Sequence, residues 1–402
     1  MALKISRLAP LALAAAVLSA QADGGNDPSF NFSGFATIGV VSTDTNDAQY
    51  VISGQPHGAT KHKASGEVDS KIGVQGTAKL NSTFSGTVQL LSKQNGEGSY
   101  KPEVEWAFVK AQLMPSLSVR VGRMGAPLFA VSDFRDVGYA NVWLRPPQDV
   151  YGQVPISHFD GADVIYQMPV GSATLSAQVF GGKSSATFEH TDLHFKNQIG
   201  FNLSAELDNG LTLRLGHVQG KLTVDSASLA QLVGVLRSTP FASVGNEIDA
   251  TNKKASFSGI GASYDQNNII GSFEYTKRKT DSYVADTTGW YATAGYRFGK
   301  VAPYITVSQV KQDSSNVTNT IPGGVSQQLT VLKMTVDGTL ASQALNQKTT
   351  GVGVRWDLYR SMALKAQYDN VRPNGPGLFA APGATFGTSK VNVYSVALDV
   401  VF

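Results

Sequence analysis

The sequence contains no cysteine. Disulfides, thiolate metal sites and cysteine nucleophiles are therefore excluded. Charged residues make up only 16% of the chain, below the roughly 25% of an ordinary soluble protein. No apolar run after the first residues is long enough for a transmembrane helix, which needs about 20 apolar residues. A catalytic signature is also missing: there is no Gly-x-Ser-x-Gly, no His-Glu-x-x-His and no glycine-rich phosphate loop of P-loop spacing. No cofactor is implied.

The first residues read as an address. Lys4 and Arg7 form a positive region, Leu8 to Leu18 is apolar apart from Pro10, and Ala20-Gln21-Ala22 is a small-x-small site. This pattern predicts a cleavable leader, residues 1–22, and one domain over 23–402. Losing Lys4 and Arg7 leaves a nearly neutral chain, which argues against a nucleic-acid partner.

The dominant signal is alternation with period two, repeated to the end of the chain. Lys71, Gln75, Thr77 and Lys79 alternate with Ile72, Val74, Ala78 and Leu80. Ser85, Thr87 and Gln89 alternate with Phe84, Val88 and Leu90. Segments of this kind are joined alternately by tight turns, such as Asp208-Asn209-Gly210, and by long polar stretches. Asparagine and glycine tolerate the positive φ that two-residue hairpins need. The pattern predicts an all-β fold: a 16-stranded antiparallel transmembrane barrel with seven tight turns and eight longer loops. An even strand count with loops of unequal length on the two sides is the bacterial outer-membrane arrangement. Gln219 to Lys254 is read as a loop with a short helix near Ser228 to Leu236, and Lys311 to Lys348 as a polar loop.

The final segment alternates Tyr394, Val396, Leu398, Val400 and Phe402, ending on an aromatic residue. With the leader, the strand count and the loop rhythm, the chain resembles the 16-stranded porins of Gram-negative bacteria. The resemblance implies a water-filled channel for small polar solutes and ions, set in outer-membrane lipid and lipopolysaccharide. It also implies a homotrimer and a third external loop folded into the lumen. The Pro-Glu-Phe-Gly-Gly element of the enteric general porins is absent, so the resemblance is to a divergent branch.

The third loop, Met124 to His158, carries Asp133, Arg135, Asp136, Tyr139, Arg145 and Asp149. These residues are expected at the constriction, with Arg120 and Arg123 beside them and Arg297 and Arg355 on the wall. Opposed charges across a narrow passage would focus the field there. Strand parity also assigns Lys71, Lys79, Arg214, Arg278 and Lys365 to the lumen. On the acidic side it assigns Glu274, Asp357 and Asp399, with Glu103 and Glu105 as weaker assignments. A wall leaning basic predicts a mild anion or carboxylate preference. The rival reading is a barrel enzyme of lipase or protease type. An energy-coupled transporter would need about 22 strands and an N-terminal plug, for which Ala22 to Phe30 leaves no room. His190 and His194, beside Glu189 and Asp192, are read as solvated loop residues.

Overall fold

The computed structural model describes residues 28–188, 190–383, 386–387 and 389–402. The leader with its site after Ala22, and Glu189, lie outside them. The chain forms sixteen long strands: β1 Ser29–Thr43, β2 Lys71–Lys79, β3 Phe84–Lys93, β4 Glu103–Met114, β5 Leu117–Gly125, β6 His158–Val170, β7 Ala173–Phe188 and β8 Thr191–Leu207; then β9 Leu211–Asp225, β10 Lys253–Gln266, β11 Ile269–Thr280, β12 Asp286–Tyr296, β13 Val301–Ser314, β14 Asn346–Tyr359, β15 Met362–Asn374 and β16 Val391–Val401. Each pairs antiparallel with its sequence neighbours, and β16 pairs with β1 to close the barrel. Gly34 and Phe402 exchange two backbone hydrogen bonds, at 2.7 and 2.9 Å, at that seam.

The alternation seen in the sequence is the inside–outside alternation of the wall. Ile38, Val121, Val179, Ile260 and Val352 are exposed on the outer surface. Thr37, Gln178, Thr293, Ser308 and Ser395 are buried on the inner one. Apolar side chains outside and hydrogen-bonding ones inside suit a wall between lipid and water. No helix among the described residues is long and apolar enough to cross a membrane, which has no bearing on the strands.

Tight turns form where backbone chemistry allows. Asn267 and Asn268 both have positive φ, 52° and 66°, the geometry of a type I′ hairpin turn. The strands overrun their expected ends on the long-loop side. β7 and β8 continue to Phe188 and from Thr191. The segment read as a histidine-bearing loop is thus a turn at His190 and a strand at His194.

The long loops fold on each other. Helices Ala227–Arg237 and Ala242–Ile248 pack Leu232, Leu236 and Ile248 against Val317, Ile321 and Val336 of the loop after β13. That loop holds a helix, Gln327–Ala341, where only a polar loop was expected. Its composition is rich in threonine and valine, poor helix formers in isolation. Ser326 caps it by accepting from the Leu329 N–H, and burial of Val336 supports it. The first and last external loops join through Tyr50 and Phe379.

Candidate functional site: the lumen and its inward loop

The third external loop, residues 126–157, leaves β5 at Gly125 and packs against inward side chains of the wall. Its apolar residues bind it to one side. Phe129, Trp143, Val150 and Tyr151 cluster with Phe257 of β10, Tyr291 of β12 and Tyr304 of β13. Gly138 comes so close to the wall that an added Cβ would lie 2.0 Å from Asp399 Oδ1. On the wall, a Cβ at Gly289 would lie 2.2 Å from Gln153 Nε2. These two glycines let the loop backbone and the wall touch.

Wall cations assigned to open water instead hold this loop's carbonyl groups. Lys365 Nζ donates to the carbonyls of Gly138, Asn141 and Trp143 at 2.6–2.8 Å and pairs with Asp399 at 2.9 Å. Arg355 donates to the carbonyls of Tyr139 and Asn141, stacks 4.7 Å from the Tyr139 ring centre and bonds Asp357. Arg214 bonds the carbonyls of Pro127 and Leu128, and Arg278 that of Gln153. Carbonyls displaced from water need donors, and these side chains supply them.

Two loop charges are consumed in the same way. Arg145 is only 2% exposed. It makes a bidentate contact with Asp69 at 2.6 and 2.9 Å, bonds Ser395, and lies 3.5 Å from Asp369. Asp149 is 1% exposed and accepts from Ser308 Oγ at 2.5 Å and Gln347 Nε2 at 2.8 Å. Burial raises its pKa from the ordinary value to about 6, against the opposing hydrogen bonds. The expectation that Asp149 faces the passage is corrected, since it is sealed between loop and wall; Arg145, largely buried in its ion pairs, still borders the cavity on the loop's other side.

On the other side the loop leaves a cavity of about 550 Å³, bordered by Lys71, Lys93, Arg123, Arg135, Asp136 and Glu105 among others. Asp136 is 3.1 Å from Lys71 and 2.9 Å from Lys93, with Arg135 at 3.8 Å. Burial alone would favour the neutral acid, but the three cations hold its pKa well below the usual carboxylate range. Lys93 keeps 35% of its side chain exposed. Three cations here surround one carboxylate.

The remaining residues are dispersed. Arg120 is on the lumenal face but is locked to Asp163, whose side chain is fully buried and also accepts from Gln178. Arg123 lies on the opposite face of β5, beside the exposed Val121, and pairs with Asp160 at 2.7 Å while bordering the cavity. Arg297, expected on the wall, is at its short-turn rim, paired with Asp265 and far along the strand from the loop. Asp133 is exposed on the loop, and Tyr139 donates its hydroxyl to the Arg360 carbonyl.

Sequence reasoning passed over Lys93, Lys110, Asp69 and Asp369. An extra residue, Glu105, bulges between Val104 and Trp106 opposite Gln89 and Leu90. A bulge reverses parity beyond it, so Lys110 turns inward beside Arg120, where simple alternation from Glu103 had placed it outside. Lys93 sits past the expected end of β3. Asp69 lies outside any strand, so no alternation points to it. His190 and His194 do not share a face as on a helix, and among the described residues no group of three or more metal-ligating side chains is assembled.

A closed 16-stranded barrel, apolar outside and polar within, defines an outer-membrane channel. The chain belongs to the Gram-negative porin family, whose pattern matches residues 8–399. No curated protein sequence matches it. Several solved structures share the fold at low identity. Salmonella typhi OmpF in complex with daunomycin is 15% identical, with a TM-score of 0.56 over 94% of this chain and 98% of that one. The trimer form of OmpT, an outer-membrane protein of Vibrio cholerae, is 11% identical, with a TM-score of 0.54 over 94% and 100%. The anion-selective porin of Comamonas acidovorans is 13% identical, with a TM-score of 0.52 over 94% and 100%.

Proposed function

We propose that this porin is a passive channel for small polar solutes, with a mild preference for anions and carboxylates. The carrying observation is the cavity beside the inward loop, whose lining holds six lysine and arginine side chains against five carboxylates and where Lys71, Lys93 and Arg135 share Asp136. Fixed charges in a narrow, low-dielectric passage raise the local concentration of counter-ions. The solved porin of Comamonas acidovorans is described as anion-selective; the same sign is proposed here from this chain's own side chains. Passage needs no catalysis. The trimeric form of one structural relative supports a homotrimer, and the outer-membrane setting supports contact with lipopolysaccharide. The chain is exported by its leader and cleaved after Ala22, so the mature protein begins at Asp23. N-terminal sequencing checks the last point. Reversal potentials across a potassium chloride gradient test the main reading: an anion-selective sign is expected, and a cation-selective one would refute it.

A further inference from the structure

Beside the inward loop, strand β4 turns Trp106, Phe108 and Lys110 in succession into the lumen. The bulge at Glu105 puts them there. Trp106 stands opposite Gln89, Phe108 opposite Thr87 and Lys110 opposite Ser85 of β3. Those β3 residues point inward: Gln89 donates to Gln75 Oε1 at 2.9 Å, and Thr87 shares a hydrogen bond with Thr77 of β2 at 3.1 Å. Without the extra residue both rings would face lipid, where a barrel ordinarily keeps its aromatic side chains.

The neighbouring strands line this wall with amides and hydroxyls, so the two rings are an apolar patch on a polar surface. Both are half-buried. Phe108 packs partly on the loop's apolar cluster, and Trp106 is outside it. The ring centres are 6.5 Å apart and inclined by 52°. The Arg120 guanidinium lies 5.2 Å from the Phe108 ring centre, a cation–π contact that holds it against the wall.

Cations bound the stripe at both ends. Lys71 and Lys93 stand opposite each other, four residues nearer the outside than Gln75 and Gln89, or about 13 Å along the strands. Lys110 is four residues beyond Trp106 toward the short turns, another ~13 Å. It stands opposite Arg120 of β5 and has no ion pair or hydrogen bond among the described residues. Arg120 gives Nε and Nη2 to Asp163, and among the described residues its Nη1 donates to nothing. Asp163 is spent on Arg120 and Gln178. Asp133 of the loop is at the Trp106 end: a Cβ on Gly125 would lie 3.1 Å from Asp133 Oδ1 and 3.2 Å from Trp106 Nε1. An anionic group is therefore repelled at the upper ring and attracted at Lys110 and Arg120.

We infer that Trp106, Phe108, Lys110 and Arg120 form a binding site for aromatic carboxylates on the passage. The ring lies against Trp106 and Phe108, and the carboxylate points toward Lys110 and Arg120 Nη1. This rests on the carboxylate preference proposed above and names the class within it. Charge alone does not choose among monocarboxylates, since all carry the same charge; a ring that stacks on Trp106 and Phe108 does. The site follows the cavity of Lys71 and Lys93 down the same wall, so a carboxylate drawn in there meets it next.

The test titrates the potassium chloride conductance of the full barrel in planar bilayers with benzoate, acetate and the uncharged benzamide. Wild type should show saturable block by benzoate at about a tenfold lower concentration than by acetate or benzamide. Trp106→Leu should bring benzoate to the level of acetate, and Lys110→Gln should bring it to that of benzamide. If Trp106→Leu yields no channels, Phe108→Leu replaces it, with the same loss expected. The reversal potential is recorded on the same channels. Its sign reports the anion preference and the block reports this site, so the two readings fail separately. Equal block of wild type by benzoate and acetate, or benzoate block unchanged in both variants, would overturn the inference.

Discussion

The two sides of the lumen use the same residue types to opposite ends. On the β11–β16 side, lysine, arginine and aspartate are dry and spent on the inward loop: Lys365 on three carbonyls, Arg145 on Asp69, Asp149 on Ser308 and Gln347. On the β2–β5 side, Lys71, Lys93 and Arg135 share one carboxylate beside open space. A charge on the inner face of a strand therefore meets open space only where the loop leaves a cavity beside it. Ionic groups in the packed half hold the loop's backbone, and those in the open half border the cavity.

The comparison predicts its largest effect at Arg145. Arg145→Ala leaves Asp69 and Asp369 buried without their cation. Breaking a buried pair in this way costs about 3–5 kcal/mol. The loop should loosen, seen as a lower melting temperature in detergent and noisier, larger single-channel currents. Unchanged melting would mean that the packed half is wetter than its geometry implies.

Asp149 is the next largest. Its pKa is raised to about 6 in the folded protein, so the folded state holds the proton more tightly than the unfolded chain does. The resulting penalty is absent below the unfolded value, grows as pH rises toward 6, and is complete above it. At about 1.4 kcal/mol per unit, it amounts to at most about 3 kcal/mol. Asp149→Asn should therefore gain stability relative to wild type at pH 8, with the gap closing by pH 4. Melting curves at the two pH values check this.

In the open half, Lys71→Gln/Lys93→Gln removes two of the three cations around Asp136. A change of about 1 kcal/mol in the field at an ion is roughly fivefold in permeability ratio. The chloride-to-potassium ratio should fall by about that factor at low salt and by less at high salt, where screening is shorter-ranged. The smallest effect belongs to Arg297→Gln. Arg297 is paired at the short-turn rim, and reversal potentials should not move.

The sixteen strands were legible because each wall residue sees lipid on one side and water or loop on the other, and alternation records that directly. The constriction was less so. Arg145 and Asp69 are 76 positions apart, and nothing local marks them as partners. Parity reasoning placed Arg355 and Lys365 inward correctly but could not show that a loop backbone would meet them there. The bulge at Glu105 hid Lys110, since one unpaired residue reverses every assignment beyond it. The helix at Gln327–Ala341 was hidden because its stability comes from packing on a neighbouring loop, not from its own residues. Asp163 was within reach: it alternates with the outward Val164 in a segment already read as a strand.

The absence of native cysteine allows a direct test of the open and packed halves. Single variants Lys93→Cys on the open wall and Ser308→Cys on the packed wall would be exposed to a bulky water-soluble thiol reagent while current is recorded in a planar bilayer. Our account predicts prompt modification and a stepwise fall in current for Lys93→Cys, with Ser308→Cys unreactive. Rapid block through position 308, with position 93 silent, would place the passage on the other side of the loop and contradict it.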